Sequence, residues 1–132
     1  MSADLMELGR RAVACKGWRW MPGMVVLPFP YRVRVVQFEP GAVAGTGVRM
    51  LPTGGWALAL VQCDDLPDLT DPATLGCLLA LVREAWGPAY GTGRPHLRPT
   101  ATGWFVASCG YPVAPEGLTE AEALVAALEC AP

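Results

Sequence analysis

Three stretches of the chain repeat apolar residues at intervals of three and four positions, which is the spacing of one helix face. They cover residues 3–15, residues 72–86 and a segment that follows Thr119. The residues predicted to face a core are Leu5, Leu8, Ala12 and Cys15 in the first stretch, Leu75, Leu78, Leu79, Val82, Ala85 and Trp86 in the second, and Ala121, Leu124, Val125 and Leu128 in the third. The pattern therefore predicts three amphipathic helices.

Polar residues and helix breakers mark the ends of these helices. Asp71 precedes Pro72, which suits an N-cap followed by the first helical position. Thr119 and Glu122 have the spacing of a capping box, in which each satisfies a backbone donor of the first turn. Gly87, followed by a proline, is expected to end the second helix.

Five shorter stretches are rich in β-branched, aromatic or continuously apolar residues and are predicted to be strands. Residues 31–38, Y-R-V-R-V-V-Q-F, alternate until Val36, which indicates a bulge or a face that becomes buried. Residues 56–63 are apolar on both faces, as expected of a central strand. The remaining predicted strands are residues 24–27, 48–51 and 103–109.

The resulting order is helix, four strands, helix, strand and helix, and most strands follow one another through short turns. This order predicts an α+β fold, with a single domain over residues 1–132, a mainly antiparallel sheet of about five strands and three helices. Residues 87–102, rich in glycine and proline, are predicted to form a long loop. Loops longer than about 12–15 residues are usually functional or mobile.

The composition is that of a domain with a substantial core. Of 132 residues, 52% are apolar and 17% are charged. No apolar run approaches the roughly 20 residues of a membrane-spanning helix, and Asp4 and Glu7 argue against a signal peptide. We therefore expect a cytoplasmic protein without a membrane partner.

The five cysteines are widely spaced, and His96 is the only histidine. Zinc sites need about four convergent ligands, usually supplied in close pairs, and cytosolic thiols stay reduced. The cysteines, at positions 15, 63, 77, 109 and 130, are therefore predicted to be small apolar core residues. The sequence predicts neither a metal nor a cofactor.

Charge is distributed unevenly along the chain. Residues 1–50 carry seven basic and three acidic side chains, residues 51–132 carry three basic and nine acidic ones, and the net charge is −2. Two interpretations are open: the basic half forms a patch for an anionic ligand, or the two halves pair across the fold. The net charge and the lack of a basic helix argue against recognition of duplex nucleic acid.

Several side chains have the chemistry to bind an anionic ligand. Indole rings stack on bases, and guanidinium groups form paired hydrogen bonds with phosphate. The candidate ligand-binding residues are Trp18, Arg19, Trp20, Arg32, Arg34, Tyr90, Arg94, His96 and Arg98. Alternatively, the tryptophans pin the corner at the exit of the first helix, and the 87–102 segment is only a surface loop.

Catalytic chemistry has fewer candidates. A Cys–His nucleophile requires His96 beside a cysteine. Asp64 and Asp65 adjoin the end of a predicted strand, where carboxylates can bind metal, although adjacent strand residues point to opposite faces. No residue is assigned a catalytic role, and a small enzyme using Cys/His or carboxylate chemistry is kept as an alternative.

Three segments, taken together, carry a resemblance. They are K-G-W-R-W-M-P-G-M at residues 16–24, D-L-T-D-P-A-T-L-G-C-L-L-A-L-V-R-E-A-W-G at residues 68–87, and T-E-A-E-A-L-V-A-A-L-E at residues 119–129. This layout resembles a family of small uncharacterised proteins encoded by bacteriophages and prophages. The resemblance implies a phage gene product in the cytoplasm of the bacterial host, and the absence of a catalytic set of residues favours a non-enzymatic accessory protein. The resemblance also implies that the protein binds a host protein or sequesters an anionic small molecule such as a nucleotide signal.

Two further possibilities follow from the same features. A phage protein of this size can instead serve as a structural or assembly component of the virion. The Leu- and Ala-rich second and third helices can supply more apolar surface than one core needs, which is compatible with a symmetric homodimer.

Overall fold

The three helices form where the apolar spacing places them. The computed structural model describes residues 3–27, 33–37, 46–50, 56–60, 65–90, 94–108 and 110–132. Its helices are α1 (Ala3–Ala14), α2 (Pro72–Tyr90) and α3 (Glu120–Glu129). Within these described ranges, no helix has both the length and the apolarity needed to cross a membrane.

The predicted N-caps of α2 and α3 are confirmed. The Asp71 carboxylate accepts a hydrogen bond from the Thr74 backbone N–H at 2.9 Å. The Thr119 hydroxyl accepts one from the Glu122 N–H at 3.2 Å. The Glu122 carboxylate in turn accepts a hydrogen bond at 2.7 Å from the N–H of Leu118, one residue earlier than a capping box predicts.

The end of α2 differs from the prediction, because the helix passes through Gly87 and Pro88 and ends at Tyr90. A proline removes the hydrogen bond of its own N–H and clashes with the carbonyl four residues earlier. Since Pro88 lies in the last turn, little of the helix depends on the bond that it removes. The predicted stop at Gly87 is therefore wrong by about one turn.

The first sheet is antiparallel, with its described strands side by side in chain order. They are β1 (Val25–Val26), β2 (Val33–Gln37), β3 (Thr46–Met50) and β4 (Trp56–Leu60). The register of β2 against β3 shifts between Val35 and Gln37, so the predicted bulge is confirmed. The predicted central position of residues 56–63 is wrong, because β4 is the last of the four described strands. Its position follows from the order of the hairpins, which an apolar composition does not encode.

The second sheet contains three antiparallel strands: β5 (His96–Pro99), β6 (Trp104–Ser108) and β7 (Tyr111–Pro112). The mixed α+β class is confirmed, but the predicted single sheet is not formed, and each sheet has fewer strands than the predicted five. The predicted loop over residues 87–102 is also corrected, because residues 87–90 belong to α2 and residues 96–99 form strand β5. After α2, the chain returns against α3 and pairs with β6 rather than with the first sheet.

Helix α3 lies at the centre of the main core. It contacts α1, α2, β5 and β6. The four residues predicted for its buried face are at most 3% exposed. The larger side chains around it in the buried cluster are Leu8, Met24, Leu69, Leu78, Leu81, Val82, Trp86 and Val106. A small second cluster, Val26 and Val35, lies in the first sheet beside Trp20.

The prediction that all cysteines are core residues holds only in part. Cys15 and Cys77 are half-buried and pack against the main cluster. Cys130 is exposed, because it follows the last residue of α3 and lies beyond the packed face. Cys63 and Cys109 lie outside the described residues.

The end of α3 is closed by a side chain of α2. The indole N–H of Trp86, which is buried, donates a hydrogen bond to the Ala127 carbonyl at 2.7 Å. The carbonyls of a helix's last turn have no N–H donor within the helix, so a side-chain donor stabilises this end. The indole N–H of Trp18 is also buried, but it has no hydrogen-bond partner in the described structure.

These two tryptophans give a paired prediction. Trp86→Phe removes the hydrogen bond to the Ala127 carbonyl and leaves that carbonyl without this donor. Trp18→Phe removes an N–H that has no hydrogen-bond partner in the described structure. We expect Trp86→Phe to lower the free energy of unfolding by about 1–3 kcal/mol more than Trp18→Phe does. Urea unfolding followed by circular dichroism measures both values. Equal losses in the two variants would show that the Trp86 hydrogen bond contributes nothing beyond packing.

Candidate functional site

The Trp18-Arg19-Trp20 segment is engaged by the rest of the chain. The two indole rings meet edge to face, with centroids 5.4 Å apart and planes at 83°. Both rings pack against the main core cluster. The Arg19 guanidinium lies 2.6 Å from both carboxylate oxygens of Glu84 on α2. The two indole rings and the Arg19 guanidinium therefore already have partners within the chain.

The structure describes no side chain for three other candidates. Arg32 lies outside the described residues. Arg34 belongs to β2, where its backbone is opposite Val25 on one side and Met50 on the other. Tyr90 is the last residue of α2. For Arg34 and Tyr90 the structure describes the backbone position alone.

Ion pairs use the arginines of α1 and of the segment that follows it. Arg11 binds the Glu129 carboxylate of α3 at 2.5 Å, and Arg10 lies 3.3 Å from Glu7. The hydrogen bond to Glu129 raises the pKa of the Arg11 guanidinium above its ordinary value. The pairs Arg11–Glu129 and Arg19–Glu84 join the basic half of the sequence to the acidic half, as one of the two interpretations predicts. Because these side chains are 38–64% exposed, each pair contributes little to stability.

A groove of about 430 Å³ lies between α1, α3 and the segment before α3. Its lining contains five carboxylates and one guanidinium: Asp4, Glu7, Glu116, Glu122, Glu129 and Arg11. Within the described ranges, no group of three His, Cys, Asp or Glu side chains is arranged to hold a metal ion. The groove is negatively charged, whereas a site for the predicted anionic ligand has to be positively charged.

Arg98 and His96 of β5 share one side of the second sheet with Phe105 of β6. Leu97 of β5 is opposite Val106 of β6, and both belong to the main core packing. Since strand side chains alternate between the two faces, the neighbouring residues of both strands point away from that core. We call this side the outer face, and it is formed by His96, Arg98, Phe105 and Ala107. Ala107 is fully buried, so the accessible part of this face consists of His96, Arg98 and Phe105. Arg98 is opposite Phe105, and His96 is opposite Ala107.

The start of β5 is fixed to α2 by a hydrogen bond. The Arg83 guanidinium donates through Nε to the Pro95 carbonyl at 2.8 Å. His96 Nδ1 lies 3.2 Å from the carbonyl oxygen of Arg94. Arg94 is exposed immediately before the strand, and Arg98 is exposed within it. The structure therefore brings Arg94, His96 and Arg98, three of the nine candidates, to one strand and its entry.

The groups needed by the enzyme alternative are not brought together in the described parts of the chain. The ring of His96 contacts a backbone carbonyl. The thiols of Cys15 and Cys77 lie against the carbonyls of Arg11 and Pro22, at 3.2 Å and 3.5 Å. Asp65 is buried, and Asp64 lies outside the described residues.

Phe105 is a site candidate that the sequence analysis did not include. It is partly exposed and, among the described residues, it packs in neither core cluster. Its position opposite Arg98 depends on residues 96–99 being a strand, whereas the sequence pattern predicts a loop there. The signal that was available is the H-L-R-P pattern, which places polar side chains on one face and apolar ones on the other.

No family model, curated protein or solved structure matches this chain.

Glu116, at the edge of the groove, gives a prediction about acid stability. Its carboxylate accepts hydrogen bonds from the hydroxyls of Thr100 and Thr102, at 2.5 Å and 2.6 Å, and these bonds lower its pKa below the ordinary value of 4.5. A lowered folded-state pKa stabilises the fold above the unfolded-state pKa, and this stabilisation is lost as the pH falls through the folded-state value. We therefore expect Glu116→Gln to lower Tm at neutral pH and the difference from the original protein to shrink below about pH 4.5.

Calorimetry across that pH range measures the effect. The matched variant is Thr102→Val, which removes one of the two hydroxyl donors. In the Thr102→Val background, Glu116→Gln should change Tm less at neutral pH than it does alone. A Tm difference that stays constant from neutral pH to pH 3 would contradict the assignment of the lowered pKa to this carboxylate.

Proposed function

We propose that this protein is a non-enzymatic binding protein that holds an anionic, phosphate-bearing ligand on the outer face of its second sheet. The observation that carries the proposal is the placement of Arg98 and His96 on one side of β5, opposite Phe105 and Ala107, with Arg94 at the entry to the strand. In the phage setting that the sequence resemblance implies, such a protein sequesters an anionic signal molecule in the host cytoplasm.

The pairing of the arginines supports this location. In the described structure, the arginines that form ion pairs are Arg10, Arg11 and Arg19. Arg94 and Arg98 are exposed and belong to no ion pair among the described residues. A guanidinium that has no carboxylate partner keeps its donors for a phosphate, with which it forms charge-assisted hydrogen bonds.

The local sequence supports the same location. Residues 85–115 contain no aspartate and no glutamate, while they include two arginines and the only histidine. An anion that approaches the β5–β6 hairpin therefore meets cationic groups without competing carboxylates from the same segment. The nearest acid in the sequence, Glu116, lies against the hairpin turn, where its carboxylate accepts hydrogen bonds from Thr100 and Thr102, so it is the one described carboxylate that contacts this hairpin.

The test is calorimetric titration with inorganic tripolyphosphate, which supplies the anion without a base. We expect Arg98→Gln and Arg94→Gln each to weaken binding about tenfold, because each removes a charge-assisted hydrogen bond of about 1.5 kcal/mol or more. Arg10→Gln is the matched control, since it removes the same charge from the paired α1 surface, and it should leave the affinity unchanged. Higher salt should weaken binding of the original protein.

Two outcomes would overturn this assignment. One is the absence of any tripolyphosphate binding at millimolar concentration. The other is an equal loss of affinity in Arg10→Gln and Arg98→Gln, which would show a dependence on net charge alone.

A second candidate function is binding of a host protein through the acidic groove between α1 and α3. The observation in its favour is the set of carboxylates that line the groove, which is complementary to a basic segment. A short polyarginine peptide is the probe. We expect the double variant Asp4→Asn, Glu7→Gln to weaken its binding several-fold and Arg98→Gln to leave that binding unchanged. Equal binding by both variants would remove this candidate.

A further inference from the structure

We infer that the ligand of the outer face is a nucleotide, with its base stacked on the ring of Phe105 and its phosphates held by Arg98 and Arg94. The inference rests on the proposed function and adds to it the chemical class of the ligand. A phosphate-bearing ligand accounts for the two arginines, and a base on that ligand accounts for the aromatic ring opposite Arg98.

The register places the ring and the guanidinium side by side. Directly opposed residues of an antiparallel pair have Cβ atoms about 4.5–5.5 Å apart, and diagonal neighbours are about 7–8 Å apart. Phe105 is in direct opposition to Arg98 and is the diagonal neighbour of His96. One ligand a few ångströms long can therefore touch the ring and both polar groups without any rearrangement of the backbone.

Core packing does not explain Phe105. Its neighbours Trp104 and Val106 pack in the main cluster. Phe105 alternates to the other face, is partly exposed, and packs in neither cluster among the described residues. A partly exposed aromatic ring beside an arginine and a histidine on a sheet has the chemistry with which proteins stack bases and hold backbone phosphates.

The dimensions of the outer face favour a single nucleotide over a long single-stranded nucleic acid. Strand β5 has four residues, which span about 13 Å at roughly 3.3 Å per residue. The face offers one aromatic ring, whereas surfaces that bind single strands stack several successive bases on several rings. Arg94 lies before the start of this short strand and Arg98 lies within it. A phosphate tail that extends from a stacked base can therefore meet both guanidinium groups.

The experiment compares adenosine diphosphate with inorganic pyrophosphate, which share the diphosphate but differ in the base. For the original protein, we expect adenosine diphosphate to bind at least about fivefold more tightly, since base stacking on an aromatic ring has an effect of at least that size. Phe105→Leu should remove this preference and leave pyrophosphate affinity within about twofold. Phe105→Tyr, the matched variant that keeps a ring, should retain the preference.

A measurement on the original protein keeps the inference testable if Phe105→Leu fails to fold. Saturation-transfer NMR with adenosine diphosphate should show stronger transfer to the base protons than to the ribose protons. Stronger transfer to the ribose would overturn the stacking arrangement.

The outcomes separate the two levels of the proposal. Equal binding of adenosine diphosphate and pyrophosphate overturns the nucleotide inference and leaves the proposed anion site standing. Absence of binding by both probes overturns the proposed function and the inference together. Far tighter binding of a short oligothymidylate than of adenosine diphosphate overturns the assignment to a free nucleotide, and comparable binding of the two supports it.

Discussion

The burial of one helix, α3, is the constraint on which the rest of the described structure depends. Its apolar face, which includes Leu124, Val125 and Leu128, packs against α1, α2 and the inner side of the β5–β6 pair. Its first turn is capped by Thr119, and its last turn is closed by the indole of Trp86. Once α3 is placed in this way, one face of the second sheet is committed to the core and the other becomes the outer face.

How far the sequence predicts this arrangement depends on the range of the interactions involved. The N-caps at Asp71 and Thr119, the buried face of α3 and the bulge near Val36 are set by residues a few positions apart, and these predictions are confirmed. The strand at residues 96–99 is different, because it is short and its partner lies across a turn. Its flanking prolines and glycines are typical of loops, and only pairing with β6 makes it a strand.

The same distinction applies to the candidate site. Arg94, His96 and Arg98 were predicted from their chemistry and from their place in a segment rich in glycine and proline, without any knowledge of the fold. Phe105 was not found, because its relation to Arg98 exists only in the register of two strands. Trp18 and Arg19 show the reverse case, in which suitable chemistry is taken up by the core and by Glu84, a residue 65 positions away. No local pattern distinguishes a guanidinium that has a distant carboxylate partner from one that has none.

The two binding hypotheses place their charged groups on different kinds of surface: the carboxylates lie along helices, and the basic groups lie on a strand. The carboxylates of the groove lie along helices α1 and α3 and the segment before α3, where Arg11 already neutralises Glu129. Arg98 and His96 of the outer face lie on a strand whose alternate residue, Leu97, is anchored in the core. An alternating strand fixes the direction of its outward side chains through the packing of its inward ones, and fixed groups lose less conformational entropy when a ligand binds. The outer face is therefore the better prepared of the two surfaces for a small ligand, because the burial of α3 that stabilises the fold also orients Arg98, His96 and Phe105.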